Sequence, residues 1–321
     1  MIRYHNARLA AGVFFLALLA ACATPQTTAL RSALPAGVPP HAELDQVVFF
    51  PQEEHQCGPA SLAMALQHAG RNIEPEQLEP FLYLPEKQGS LQAEMLAAAR
   101  RHGALAYMLE PELRDVLAEL AAGNPVVVLQ NLGLGWYPVW HYAVAVGYDM
   151  RSKEMILRSG TERRQVMPFA TFENTWARSA HWAMVVLPPE RIPETASAER
   201  YTRSLAALEH TSPASRLEPA YSAAMLRWPG SLVTMIAAGN FAYKSGRLDQ
   251  AHEIFLRATR EHPDSVAAFN NLAQTLSDSG KYEAALLAAR HAVAMGGALN
   301  AQARSTLAEI ERHIADDQKN F

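Results

Sequence analysis

Cysteine is scarce. The 321 residues contain two, Cys22 and Cys57. There is no Cys-x-x-Cys, no His-Glu-x-x-His and no glycine-rich phosphate loop, so the thiol-redox, zinc-peptidase and nucleotide-binding motifs are all missing. "GLGWYP" at residues 133–138 holds a Gly-x-Gly, but no helical pattern follows it, and it reads as a loop. Charge of one sign is lacking too. The net charge is −4 with no long single-sign run, which excludes the clustered basic footprint of a nucleic-acid binder. Beyond the N-terminus no apolar run is long enough to span a bilayer. No cofactor and no metal are implied. The 49% apolar content is ordinary for a folded protein, and the length suggests two domains.

What is present begins with a targeting pattern. Arg3 and Arg8 precede an apolar run at residues 9–21, short for a membrane span and right for a signal-peptide core. The run ends in Leu19-Ala20-Ala21-Cys22, which resembles a bacterial lipobox. That resemblance implies cleavage of residues 1–21 and lipidation of Cys22. Ala23, where inner-membrane retention would want Asp, implies an outer-membrane anchor facing the periplasm. Residues 22–42, rich in Pro, Thr and Ala and without periodicity, read as a lipidated tether. Cys57 is then an unpaired thiol in an oxidising compartment, which calls for burial or catalysis as its explanation.

Residues 43–189 have mixed patterning. "DQVVFF" is a strand candidate. "ASLAMALQHAG", "SLQAEMLAAARRHG" and "PELRDVLAELAAG" are helices stopped by Gly70, Gly103 and Gly123, with Ser90 as an N-cap and Pro111 in a first turn. Short β-branched or aromatic runs follow: "PVVVLQN", "WHYAVAVGYD", "EMILRSG", "RQVMPFATF" and "HWAMVVLP". Helices first and strands afterwards predict an α+β domain on a mainly antiparallel sheet.

Beyond residue 189 the strands stop and a 34-residue period appears. It aligns Ala224, Ala258 and Ala292; Pro229, Pro263 and Gly297; Tyr221, Phe255 and Ala289; Gly246 and Gly280; and Ala251 and Ala285. Small residues at fixed places let paired helices approach, and this period resembles tetratricopeptide repeats. The expected division is a linker with a degenerate repeat at 190–231, two repeats at 232–299, and a capping helix and tail at 300–321.

Thiol hydrolysis needs a stabilised thiolate, an imidazole to take its proton and a donor for the oxyanion. Cys57 precedes Gly58-Pro59-Ala60 and a helical run, which places it at a helix N-terminus, where the dipole favours a thiolate. His141 opens a strand-like run. His55, His68, His102 and His181 compete with it; His68 and His102 fall at helix C-termini, where the dipole favours an imidazolium, and read as structural, leaving His181 as the rival base.

Gln52, Cys57-Gly58-Pro59-Ala60, "GNPVVVLQN" and His141-Tyr142-Ala143-Val144 leading to Gly147-Tyr148-Asp149 together resemble the papain-like bacteriocin-processing peptidases, which cleave leader peptides after a double glycine. The resemblance spans residues 43–189. It implies Cys57 as nucleophile, His141 as general base and acid, and Gln52 in the oxyanion hole. Two departures stand out. The family's Gln often lies six residues before the Cys, and here Gln52 lies five before. The family's Asp, which orients the His, is absent from "EMILRSGTERR", so the third member is Ser159, a backbone carbonyl, or missing altogether. Asp149 reads instead as a hairpin cap. The expected function is an envelope-anchored thiol peptidase acting on a peptide or protein amide, with the repeats binding a partner or the substrate. A thiol acyltransferase would use the same residues. A non-catalytic peptide-binding scaffold is the alternative of another class.

Overall fold

The computed structural model describes residues 24–32, 37–52, 56–87 and 89–319. The segment expected to be a signal peptide, the expected lipidation position Cys22, and His55 lie outside the described residues. The chain divides into two compact units. One runs to Pro188 and includes Pro193–Thr195, and the other comprises Pro189–Ile192 and Ala196–Phe321.

The first unit is α+β. Its elements in chain order are α1 (Pro25–Ser32), β1 (His41–Glu43), α2 (Cys57–His68), α3 (Pro75–Leu82), α4 (Gln92–Arg101), β2 (Leu105–Met108), α5 (Leu113–Ala121), β3 (Val126–Asn131), β4 (Trp140–Asp149), β5 (Glu154–Ser159), β6 (Glu162–Pro168), α6 (Phe169–Ala177) and β7 (Ala183–Leu187). Among the described residues the strands form one seven-stranded sheet. Its order is β2-β7-β3-β4-β5-β6, with β1 added to the end of β4. Every pairing is antiparallel. β3 and β7 are buried throughout, as strands covered on both faces must be.

α2 is buried from Gly58 to Leu66. Leu62, Met64 and Leu66 are fully enclosed, each contributing on the order of 1.5–3 kcal/mol of apolar burial. Gly70, Gly103 and Gly123 all have positive φ and end their helices as the sequence predicts. Gly147 is required for a different reason. A Cβ there would lie 2.5 Å from Ala42 O and 2.9 Å from Glu43 Cα, in the backbone of β1.

Several local expectations are corrected. Residues 22–42 are not a plain tether. Within them Pro25–Ser32 is helical, and the N–H groups of Gln26 and Thr27 donate to the Glu173 carboxylate at 3.0 and 2.7 Å. "DQVVFF" is not a strand; it turns, and Arg158 takes the carbonyls of Asp45 and Val47. Ser90 does not cap α4, whose N-cap is Leu91. Pro111 lies before the N-cap of α5, which is Glu112. "RQVMPFATF" leaves the sheet at Pro168 and continues as α6. His102 is not favoured as an imidazolium, because burial, and then the Arg101 charge, holds its pKa down.

The second unit is helical: α7 (Ala198–Leu208), α8 (Ala214–Arg227), α9 (Leu232–Lys244), α10 (Leu248–Glu261), α11 (Val266–Asp278), α12 (Tyr282–Met295) and α13 (Asn300–Lys319). α7, α9, α11 and α13 start 34 residues apart, and so do α8, α10 and α12. The degenerate unit therefore has the same two-helix form. Ser197, Ser231 and Ser265 cap the first helix of each pair by accepting an N–H three residues on. Ala224, Ala258 and Ala292 are fully buried, as are Ala251 and Ala285. Among the described residues no helix is long and apolar enough to cross a membrane.

Candidate active site

The site forms where β4 has an open edge. β3 pairs with β4 from Trp140 to Ala145, whereas β5 joins the other edge only from Val144 onward. Leu129, opposite Tyr142, directs its N–H to Trp182 O and accepts Ser179 Oγ at its carbonyl, so both its groups face away from β4. The ladder alternation then points the Tyr142 N–H and C=O toward the open edge. The N-terminus of α2 fills that edge.

Cys57 is the first residue of α2, with Gln56 as N-cap. Its thiol is held by the Tyr142 N–H and by the N–H groups of Gly58 and Cys57 itself. Burial is the larger influence and pushes the Cys57 thiol up, while these three N–H groups pull it down. Gly58 has a packing reason, since a Cβ there would overlap the Ser90 side chain.

His141 precedes Tyr142 on β4. Its Nε2 lies 2.9 Å from Ser159 Oγ, the last residue of β5. That bond leaves Nδ1 as the nitrogen open to a thiol. Burial holds the His141 imidazole below its ordinary pKa. A raised thiol and a lowered imidazole favour the neutral pair in the unliganded site. The dipole argument alone pointed the other way for Cys57, because sequence spacing carries no information about desolvation.

Gln52 is 7% exposed and fully engaged. Its Nε2 donates to Ser61 Oγ at 3.1 Å and to Tyr142 O at 3.3 Å. Its Oε1 accepts the Gly160 N–H at 2.9 Å, and its own N–H donates to Gly160 O at 2.9 Å. Gln52 therefore clamps the residue after Ser159, and Ser159 in turn holds His141. Sequence spacing alone could not show this brace.

Cys57, Gln52, His141, Tyr142, Ser90 and Gly160 all line one cavity of about 890 Å³. Tyr137 and Trp140 form part of its wall, and Trp136 is outside it. His181, the rival base, is also outside the lining. Its ring packs edge-on against Trp176, with centroids 4.7 Å apart. Asp149 caps the β4–β5 turn, accepting the N–H groups of Arg151 and Ser152. Among the described residues no His, Cys, Asp and Glu cluster suits a metal ion.

A cysteine heading a helix, set against a histidine-bearing strand of an antiparallel sheet, is the arrangement of the papain-like peptidases. Comparison makes the assignment narrower. Residues 44–184 match the model of the Peptidase_C39 like family, and residues 254–286 match a tetratricopeptide-repeat model. The chain thus carries a C39-like peptidase domain followed by a helical region with a tetratricopeptide repeat. Among solved structures, a Bacillus anthracis protein described as C39-like peptidase is similar at 19% identity and a TM-score of 0.38, covering 46% of this chain and 97% of its own. No curated protein matches.

Proposed function

We propose that this chain is a thiol peptidase in which Cys57 attacks a peptide or protein amide. The supporting observation is that Cys57 at the head of α2 and His141 on the adjoining strand line one cavity, with His141 fixed by Ser159. Substrate binding expels water and brings a carbonyl to the thiol; His141 Nδ1 takes the thiol proton as the C–S bond forms. The oxyanion is met by the Cys57 N–H at the start of α2. Gln52 joins it by giving up Tyr142 O, the longest of its hydrogen bonds. The imidazolium then donates its proton to the leaving amine, and water, activated by the same imidazole, releases the acid. Transfer to an amine instead of water gives the acyltransferase variant.

Cys22 would anchor the mature chain to the outer membrane, facing the periplasm, and the helical repeats would bind an envelope protein partner or the substrate. A peptidyl acyloxymethyl ketone that labels Cys57 in the native chain, and fails with Cys57→Ala and His141→Ala, tests the enzyme. Peptide cleavage that survives Cys57→Ala sinks it. The second reading, a non-catalytic peptide-binding scaffold, is favoured by the burial of the two groups, which pushes the Cys57 thiol up and the His141 imidazole down, against an ion pair.

A further inference from the structure

The β3–β4 connection is unusual for a soluble surface. Leu132, Leu134, Trp136, Tyr137, Val139 and Trp140 are all exposed, Trp136 at 82%. No Asp, Glu, Lys or Arg occurs anywhere from Leu120 to Tyr148. A contiguous exposed apolar patch marks an interaction surface. Tyr137, Val139 and Trp140 line the cavity, so a bound peptide accounts for them. Leu132, Leu134 and Trp136 do not line it, and the cleft gives them no role.

The chain enters the domain at the same end. Gln26, at the start of α1, donates through Nε2 to Pro111 O at 3.0 Å, and its Oε1 accepts the Leu113 N–H. These residues follow β2, which ends paired with the start of β7: Met108 with Met184, then Leu109 N–H to Ala183 O. Just before β7, Arg178 donates to the carbonyls of Asn131 and Gly133 at the hairpin's base. Three residues lie between Cys22 and Gln26, and the four steps from one to the other reach about 14 Å at most. Glu173 clasps the first turn of α1, so the domain cannot swing on a long leash.

We propose that the hairpin at residues 132–140 is an interfacial membrane contact that sets the mouth of the catalytic cleft against the lipid surface. Trp and Tyr favour the headgroup boundary, where a ring is sheltered and its N–H or O–H stays wet. Uncharged Leu and Val beside them can enter the acyl region without stripping water from a charge. The orientation rests on the lipid-anchored reading of Cys22 given above. It selects substrates whose scissile segment lies close to the membrane.

The test uses the chain from residue 22 carrying Cys22→Ser, so that no acyl group contributes. The vesicles contain phosphatidylethanolamine and phosphatidylglycerol, with part of the lipid brominated near the headgroup end of its chains. The expected result is a blue shift and quenching of tryptophan fluorescence by the shallow bromines. Trp136→Ala should weaken vesicle partitioning by about tenfold. The same variant should leave the melting temperature and the alkylation rate of Cys57 in solution unchanged. No quenching, or partitioning indifferent to Trp136→Ala, overturns the proposal. So does a Trp136→Ala chain that fails on a soluble peptide without any vesicle binding, which would make the hairpin a peptide grip. The mass of the native N-terminal peptide reports acylation separately. An unmodified Cys22 ends the anchoring reading, while the serine chain still decides the hairpin.

Discussion

Ser159→Ala is the sharpest perturbation of the proposed machinery. The hydroxyl sits 2.9 Å from His141 Nε2, in a residue 5% exposed. For Nδ1 to act as base, Nε2 must carry the hydrogen and donate it to Ser159 Oγ. Removing one neutral hydrogen bond costs about 0.5–1.5 kcal/mol. If the bond acts only by holding the ring, the rate should fall about two- to twelvefold. Ser159→Asp makes the opposite prediction: a carboxylate there favours the imidazolium, and the imidazolium favours a thiolate at Cys57. The assay is the second-order rate of iodoacetamide alkylation at Cys57, followed by mass spectrometry from mildly acidic to alkaline pH, on chains carrying Cys22→Ser. In the wild type, burial raises the thiol and lowers the imidazole, so the rate should climb with pH and show no acidic plateau. Ser159→Asp should add reactivity on the acidic side. A Ser159→Ala rate equal to wild type, or a Ser159→Asp rate below that of Ser159→Ala, would refute the assignment of Ser159 as the positioning group.

Three further outcomes are expected. Burial depresses His141, His102 and His181, so the unfolded chain binds more protons than the folded one below its ordinary histidine pKa of about 6.5. Stability is then full above that pH and is lost as pH falls through the folded-state values; a thermal melt series from pH 7.5 to 5 checks this, and an unchanged melting temperature contradicts it. Gln52→Glu keeps the acceptor for Gly160 but loses the donor. It should lower kcat by about 100-fold if the amide enters the oxyanion hole, whereas Gln52→Ala, which also frees Gly160, should lower the melting temperature as well. Gly239→Ala should destabilise the helical region despite alanine's higher helix propensity, because the new methyl would overlap the Phe255 ring, with Cζ at 2.6 Å. Phe255→Leu in the same chain should recover part of the loss in urea unfolding.

The elements legible in advance share one property: their cause is local. Cys57 at a helix start, Gly70, Gly103 and Gly123 at helix ends, and His141 at the head of β4 follow from neighbours a few positions away. The 34-residue repeat is local in the same sense, since each helix pair repeats one packing solution. Even the degenerate first pair could have been recognised from the serine caps, a signal present in the sequence at Ser197, Ser231 and Ser265. What was misread depends on distant partners. α1 looked like a tether because its hydrogen-bond acceptor, Glu173, lies 147 residues away from Gln26. "DQVVFF" looked like a strand because nothing nearby shows that Arg158 will claim its carbonyls.

The candidate site divides along the same line. Residue type and spacing alone determined that a lone thiol would head a helix and that a histidine would open a strand. Only the tertiary structure decided how they meet: an edge of β4 left open before β5 begins, a cysteine seated on the Tyr142 N–H, and a serine carried to His141 by a glutamine that grips Gly160. Hydrogen-bond direction and desolvation belong to the assembled sheet. They set which proton carriers face one another and whether the pair rests charged or neutral, and neither property exists until residues far apart in the chain have packed.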